Sequence, residues 1–556
     1  MRARQLDNYS ILKEIMSKSR RFNLPPEIDY IIIYTFLYKY CSDNIKEYLL
    51  LELKDKELTI DEAYKNKHSQ DMLRFDALKL YGFYIKKSEA FLDEVLNTNY
   101  SHPKFLSYFL KIFPENVIFS SEYHNEEYFD YLFKTIDDIS NLRFNSSQSA
   151  NICEIIFLIS KLDVFDLDFE FIKVFDIISA SRIMRTDSNP EYITQILSSL
   201  VLCEKKTIGS VYDPFMKDGD SLIKLRDNYG YDFEYSYGKD VNHLNYLYTI
   251  VRLFINNFSF NNVFLKQENA FDSIDINGAS FDVILSRIPI SIKNYHSANA
   301  KQNFEISKRN KRNELESILL ENFGMDDASF KQDAELNKAL ENLVEKINFE
   351  NDSNMDFVGE FESLKDSEFL FLLNLVDSLK NDGMMAISIS ENFLFKNSLE
   401  TLRKYLTLQK NYLDAIIRIP NEINRLAPEV VIVFRKDRKT QDILFIDMSA
   451  DYETQRSGLA YSGLFRKNLI LDKKTIKKLE EVFLNRLTIS KFSQLVSLDD
   501  IKNNNFNLSV SRYVDTFEGK FISLEELVVE KQDIDSNIND LNLKIEKMMD
   551  ELNIRF

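Results

Sequence analysis

Val211-Tyr212-Asp213-Pro214-Phe215-Met216-Lys217-Asp218-Gly219-Asp220-Ser221-Leu222-Ile223 is the stretch on which the reading of this chain turns. A short apolar run ends in Asp213-Pro214, one glycine follows at Gly219, and a helical pattern begins at Ser221. Strand, tight turn and helix in immediate succession form the opening unit of a doubly wound parallel sheet, whose ligands bind at that first turn. Just upstream, Asn189-Pro190-Glu191 opens a helix over Tyr192–Leu202. Asparagine suits the N-cap, proline the first helical position, and glutamate complements the helix dipole. Downstream the pattern predicts a strand at Tyr235–Gly238, a helix at Leu244–Asn256 and a strand at Phe281–Leu285. A helix at Ser367–Leu379, a turn at Asn381-Asp382-Gly383 and a strand at Met384–Ser390 follow, then a helix around 398–408. Strands are expected at Leu413–Arg418, Val430–Phe434 and Ile443–Asp447. Strands alternating with helices of this length predict an α/β fold with a doubly wound, mostly parallel, Rossmann-like sheet.

Outward from this core, residues 1–185 read as a helical domain. Leu24-Pro25-Pro26-Glu27 is a helix entry ahead of the apolar run Ile28–Tyr40, and helical patterns recur at 76–98, 103–113, 126–137 and 150–162. The sheet domain is expected over 186–450, interrupted by a polar insertion at 296–355 that carries Lys308-Arg309-Asn310-Lys311-Arg312. Such an insertion reads as a solvated loop with one helix, or as a loop facing DNA. Strand signals fade after about 450, and 451–556 forms a C-terminal region with a helical tail. There Ile534, Ile538, Leu541, Ile545, Met548 and Leu552 repeat at spacings of 4, 3, 4, 3 and 4, a short heptad seam. This stripe must be buried, against its own domain or against a partner's helix.

Composition narrows the function. The chain has 556 residues, with 88 acidic against 70 basic side chains and a formal charge of −18. Such a field repels a polyanion, so contact with DNA would run through a local patch or a partner. Cys41, Cys153 and Cys203 are too few and too scattered for a disulfide scaffold, and with five dispersed histidines they make no metal-ligand pattern. No metal is expected. The N-terminus lacks a signal-peptide core, and the longest apolar runs are too short to span a bilayer, which predicts a cytoplasmic protein without a membrane segment.

The chemistry concentrates around the opening turn. Asp240, in Gly238-Lys239-Asp240, stands where the acid ending the second strand commonly holds a ribose. In full, the motif series resembles the methylase subunit of type I restriction–modification systems, an N6-adenine DNA methyltransferase family. Asn189-Pro190-Glu191-Tyr192-Ile193-Thr194 resembles the family's Thr-Pro-Arg-Glu-Val segment, and Val211-Tyr212-Asp213-Pro214 its strand into an Asp-Pro-x-x-Gly-Ser-Gly-Gly loop. Phe281-Asp282-Val283-Ile284-Leu285-Ser286 is similar to the strand delivering the catalytic Asn-Pro-Pro-Phe/Tyr. Leu379–Ile387, Asn392-Phe393-Leu394-Phe395, Arg403-Lys404-Tyr405-Leu406, Leu413–Ile417 and Ile443–Asp447 keep the family's later order, and Asn507–Val514 resembles its Asn-Leu-x-x-x-Arg-Tyr segment. The resemblance covers nearly the whole chain. It implies S-adenosylmethionine as cofactor, held at Asp213, Pro214, Gly219, Asp240 and Asn269. It also implies a specificity-type subunit that reads DNA and a motor nuclease subunit as partners.

The departures fall on ligand positions. The catalytic tetrad matches Arg287-Ile288-Pro289-Ile290, of which only Pro289 is retained. Amine methylation needs acceptors for the N6 hydrogens and an aromatic ring to stack on the flipped base. Arginine has five donors and no acceptor, and Ile290 has no π face. In the turn, Lys217 and Asp220 replace glycines and leave Gly219 alone; Asn269 replaces an aspartate. These changes predict a methyltransferase-like pseudoenzyme, retained as a structural or DNA-associating subunit of a restriction or antiphage complex. The alternative is an active adenine N6-methyltransferase with an unusual site, in which Ser286 or the backbone carbonyl of Ile288 supplies the missing acceptor.

Overall fold

The computed structural model describes residues 8–165, 190–288 and 371–516 apart from short gaps, the longest at 98–103, 121–125, 271–279, 421–427 and 456–467. Single positions between 171 and 178 and between 528 and 544 are also described. The insertion at 296–355 lies outside these residues.

The N-terminal region runs α1 (Asn8–Arg21), α2 (Ile28–Lys54), α3 (Ile60–Lys65), α4 (Lys67–Tyr81), β1 (Phe83–Ile85), α5 (Leu92–Asn97), α6 (Phe105–Asn116), β2 (Val117–Phe119), α7 (Glu126–Ser140), α8 (Ser146–Ser160) and α9 (Pro190–Glu204). The apolar run of α2 has no polar face over its first three turns, so the helix is buried all round and centres the region. Its tyrosines keep their hydroxyls satisfied inside: Tyr34 donates to Phe109 O at 3.0 Å and Tyr38 to Ala90 O at 2.7 Å. The pattern read as one helix over 76–98 is instead broken at Gly82, which takes the left-handed cap conformation (φ 76°) and turns the chain into β1. β1 pairs antiparallel with β2, Phe83 opposite Phe119. Three-residue strands are too short to leave a period in the sequence.

The second half contains β3 (Ser210–Asp213), α10 (Asp220–Tyr229), β4 (Tyr235–Lys239), α11 (His243–Ile255), β5 (Val263–Lys266), β6 (Phe281–Arg287), β7 (Leu379–Ser390), α12 (Glu400–Lys404), β8 (Leu413–Arg418), β9 (Glu429–Arg435), β10 (Ile443–Asp447), a small β11–β12 pair (Glu453–Gln455, Asn468–Ile470), α13 (Lys473–Asn485) and β13 (Ser493–Val496). Nine strands form one sheet in the order β13-β10-β8-β9-β7-β6-β3-β4-β5. Only β9 and β13 run antiparallel to their neighbours, so the α/β class and mainly parallel sheet expected from the sequence hold. Residues alternate between its two faces, Val211, Val283 and Ala386 packing on one side and Tyr212, Ile284 and Ile387 on the other. The first of these cores continues into the N-terminal helices, where Phe254 of α11 meets Tyr40, Phe83, Phe119 and Phe129.

Two expectations are corrected. Asn381-Asp382-Gly383 is no helix stop but part of β7, at a register shift against β6 between Phe281 and Val283. A Cβ on Gly383 would stand 2.8 Å from Phe281 O, so the glycine permits an irregular strand to lie close to its neighbour. The loss of strand signal after 450 is also overturned, since β11, β12 and β13 follow and β13 completes the sheet edge. Its sequence, Ser-Gln-Leu-Val, is half polar because an edge strand is half exposed. The opposite edge, β5, is capped from the helical region. The Tyr128 hydroxyl donates to Val263 O at 3.0 Å and accepts from Leu265 N–H at 2.8 Å, closing the exposed backbone.

Candidate functional site

From β3 the chain winds outward through β4 to β5, then returns to β6 on the other side and continues to β7. The strand order therefore reverses between β3 and β6, and their carboxyl ends open the crevice where such sheets bind ligands. Asp213, Lys239, Arg287 and Ser388 all stand at strand ends around this point.

Asp213 ends β3 buried, with 1% of its surface exposed. Its Oδ1 accepts from Ser286 Oγ at 2.6 Å and from Phe215 N–H at 3.1 Å. Burial pushes its carboxyl up to about 7, against the hydrogen bonds from Ser286 and Phe215 that hold it down. Ser286, a candidate substitute acceptor, thus directs its hydroxyl into the sheet.

The turn after Asp213 is fastened at both sides. Met216 N–H donates to Lys239 O at 3.0 Å, and Gly219 N–H to Met216 O at 2.6 Å. Lys217 N–H donates to Asp240 Oδ2 at 3.1 Å, while Lys217 O accepts from Thr249 Oγ1 at 2.6 Å. Gly219 is left-handed (φ 73°), and a Cβ there would lie 2.9 Å from Thr249 Cγ2. Lys217 is left-handed too (φ 47°), a conformation that costs a branched or long side chain strain and glycine none. Asp220 opens α10, bound by Arg252 of α11 at 3.1 Å, and Arg252 also donates to Asp218 O at 3.0 Å. Sequence reasoning missed Thr249 and Arg252. An arginine inside the wholly apolar pattern of α11 was the available signal.

Asp240 sits one residue beyond β4. Its Oδ1 accepts from Asn242 N–H at 2.7 Å, and burial pushes its carboxyl up to about 6. The neighbouring Lys239 is fully buried and pairs with Glu268 at 3.1 Å, immediately before the half-buried Asn269.

At the end of β6, Arg287 forms a forked ion pair with Glu429, the first residue of β9: Nε to Oε2 is 3.3 Å and Nη2 to Oε1 is 3.2 Å. Ser388 of β7 lies between them and donates its hydroxyl to Glu429 Oε2 at 2.6 Å. The side chains of Arg287 and Glu429 are 11% and 3% exposed. Three strands are stitched together here, and neither Glu429 nor Ser388 was singled out from the sequence. An acid at the head of the apolar run Val430–Phe434 was the one hint. Ile288 is buried and donates its N–H to Ser388 O at 2.9 Å. Pro289 and Ile290 lie outside the described residues. Lys217 is within electrostatic reach of Arg287, Glu429, Asp218 and Asp240, so the first turn and the tetrad position face one cleft. Burial and the Arg287 charge hold the Lys217 ammonium below the ordinary lysine value.

Far from this cleft, Ile534, Ile538 and Leu541 are 52%, 49% and 57% exposed. Ile545, Met548 and Leu552 lie outside the described residues. Among the described residues, no group of three or more His, Cys, Asp or Glu side chains is placed to hold a metal ion.

Residues 335–520 match a family model described as N-6 DNA Methylase. The type I restriction enzyme MpnII methylase subunit of Mycoplasma pneumoniae is 22% identical over 562 residues, covering 94% of this chain and 93% of that one. The solved type I restriction-modification system methyltransferase subunit from Streptococcus thermophilus superposes with a TM-score of 0.65 at 17% identity, over 92% of this chain and 100% of that one. A chain from a structure of type I R-M system complex assembly matches with a TM-score of 0.53 at 11% identity, over 98% of each chain. The family resemblance carried by the motifs is borne out along nearly the whole length, and the fold is that of these methyltransferase subunits.

Proposed function

We propose, from the premise that this chain is a homologue of type I restriction-enzyme methylase subunits, that it serves as the methylase-type subunit of such a system or of a related antiphage complex and no longer transfers methyl groups. The observation that carries this reading is the Arg287–Glu429–Ser388 network at the catalytic tetrad position. An adenine N6 amine must be met by acceptors, and positive charge develops on that nitrogen as it attacks. Arg287 brings donors and a fixed charge instead, and its guanidinium fork is taken up in joining β6 to β9.

The opening turn supports loss of the family's cofactor. S-adenosylmethionine requires backbone to approach it closely where glycines stand; here Lys217 and Asp220 bring side chains, and the Lys217 amide occupies Asp240. We read these residues as no longer fitting the cofactor, so no chemical step is derived through it. Asp240, standing where the ribose would be held, favours the second reading, a working adenine N6-methyltransferase. The two are separated by incubating the chain, assembled with its specificity-type subunit, with DNA and methyl-tritiated S-adenosylmethionine. No label above that of heat-inactivated complex is expected. Sustained incorporation into adenine would overturn the scaffold reading.

In this role DNA is met through the complex, in keeping with a charge of −18, and the partners are a specificity-type subunit and a motor-nuclease-type subunit. The reading places the chain in the cytoplasm; among the described residues no helix is long and apolar enough to cross a membrane. The exposed stripe Ile534, Ile538, Leu541 is the docking surface for a partner helix. Ile538→Asp with Leu541→Asp is expected to abolish co-purification with the specificity-type subunit while the melting temperature of the isolated chain holds. Retained co-purification, or a collapsed melting temperature, would count against this surface.

A further inference from the structure

Resting on that reading, one feature of the cleft goes further. The turn at 214–219 is anchored down onto the end of β4 through Met216 N–H to Lys239 O and Lys217 N–H to Asp240. Above β4, the Met216 thioether lies 2.7 Å from where a Cβ on Gly238 would be, so sulfur fills the space over that strand end. Both oxygens of Asp240 already accept backbone N–H groups, from Lys217 and from Asn242, where a ribose would offer hydroxyls. Lys217 itself holds a left-handed backbone that glycine would adopt without strain. Its ammonium lies in a cleft whose carboxylates are Glu429, Asp218 and Asp240.

S-adenosylmethionine is a cation at its reacting end, carrying a sulfonium beside an ammonium. A cleft built to receive it needs negative charge, and negative charge without a ligand needs a counter-ion. We propose that Lys217 is that counter-ion: an internal cation standing in for the methyl donor, so that the protein fills its own cofactor site. A methyl donor entering the cleft would have to expel the Lys217 side chain, break the Lys217–Asp240 bond and lift Met216 from Gly238. It would also meet Arg287 as a like charge.

The test is calorimetric titration of the full chain with S-adenosylmethionine and with S-adenosylhomocysteine. The wild type is expected to give no binding heat up to ~1 mM, the affinity range worth only ~4 kcal/mol. Lys217→Gly, which removes both bulk and backbone strain, is expected to bind at least about tenfold more tightly, and a further Asp240→Asn change should remove that gain. Lys217→Asn, also at ease in left-handed backbone and shorter, is the second variant should the glycine chain not fold. Micromolar binding by the wild type would overturn the inference, as would either variant folding with an unchanged melting temperature and gaining no affinity. A wild type that binds the ligand yet transfers no methyl group would end this inference and leave the scaffold role standing. Label in adenine would end the scaffold role by a separate measurement.

Discussion

Glu429→Ala is expected to lower local stability at the centre of the sheet by about 3–5 kcal/mol, among the largest effects of a single change in this protein. The carboxylate is 3% exposed and accepts from two guanidinium nitrogens and one hydroxyl. Removing it leaves the Arg287 charge largely buried without its partner and the Ser388 hydroxyl without its acceptor. Burial of an uncompensated charge costs far more than the pair contributes, because the intact pair offsets its own desolvation. The double change Arg287→Gln with Glu429→Gln should therefore lose less than Glu429→Ala alone, since neutral amides rejoin across the same gap. Hydrogen exchange reads this directly at Ile288 N–H, which donates to Ser388 O at 2.9 Å. A single change that leaves this amide's protection within about 1 kcal/mol of wild type, the ordinary scatter of surface substitutions and more, would mean that water reaches Arg287 and the ion pair does not hold the strands.

This network also marks where sequence reading ends. Arg287 was conspicuous as a residue type that cannot perform the family's chemistry. Its partner Glu429 is 142 residues away along the chain, and no local spacing connects them. The same holds for the turn. Lys217 and Asp220 stood out against glycines, but that their backbone and side chains are held by Asp240, Thr249 and Arg252 depends on α11 crossing beneath them.

Interior strands were legible because burial on both faces forces a continuous apolar run. Leu413–Arg418 and Ile443–Asp447 were read to the residue. Edges and irregularities were not. Val263–Lys266 alternates buried and exposed over four residues, too few for a period, and Ser493–Val496 borrows its burial from one neighbour. Asn381-Asp382-Gly383 carries turn chemistry, yet the parallel neighbour β6 recruits it into a strand at a bulge. Local propensity there yields to pairing partners that lie beyond any window.

Arg403→Met should match the loss at Glu429, for a different physical reason. Arg403 is 2% exposed and no carboxylate hydrogen-bonds to it; its Nε donates to Phe506 O at 2.7 Å and its Nη1 to Phe393 O at 3.0 Å and Lys396 O at 2.8 Å. Burial holds its pKa down to about 10. One guanidinium thereby fastens the Asn392–Phe395 segment to the Asn507–Tyr513 segment, with Leu508 N–H donating to Leu394 O at 2.9 Å beside it. Both segments belong to the motif series, and their spacing gave no sign that one side chain joins them. A methionine fills comparable volume but leaves three carbonyls without donors, at roughly 1–3 kcal/mol each before water returns to some of them. A net loss of about 3–5 kcal/mol is expected in the exchange protection of Leu508 N–H, with earlier proteolytic cleavage after Arg512. Arg403→Lys should recover less than half, because one ammonium cannot reach carbonyls that diverge around a planar fork. Full protection of Leu508 in the methionine variant would show that packing of Phe393, Leu508 and Val510 in the second core holds the two segments without the arginine.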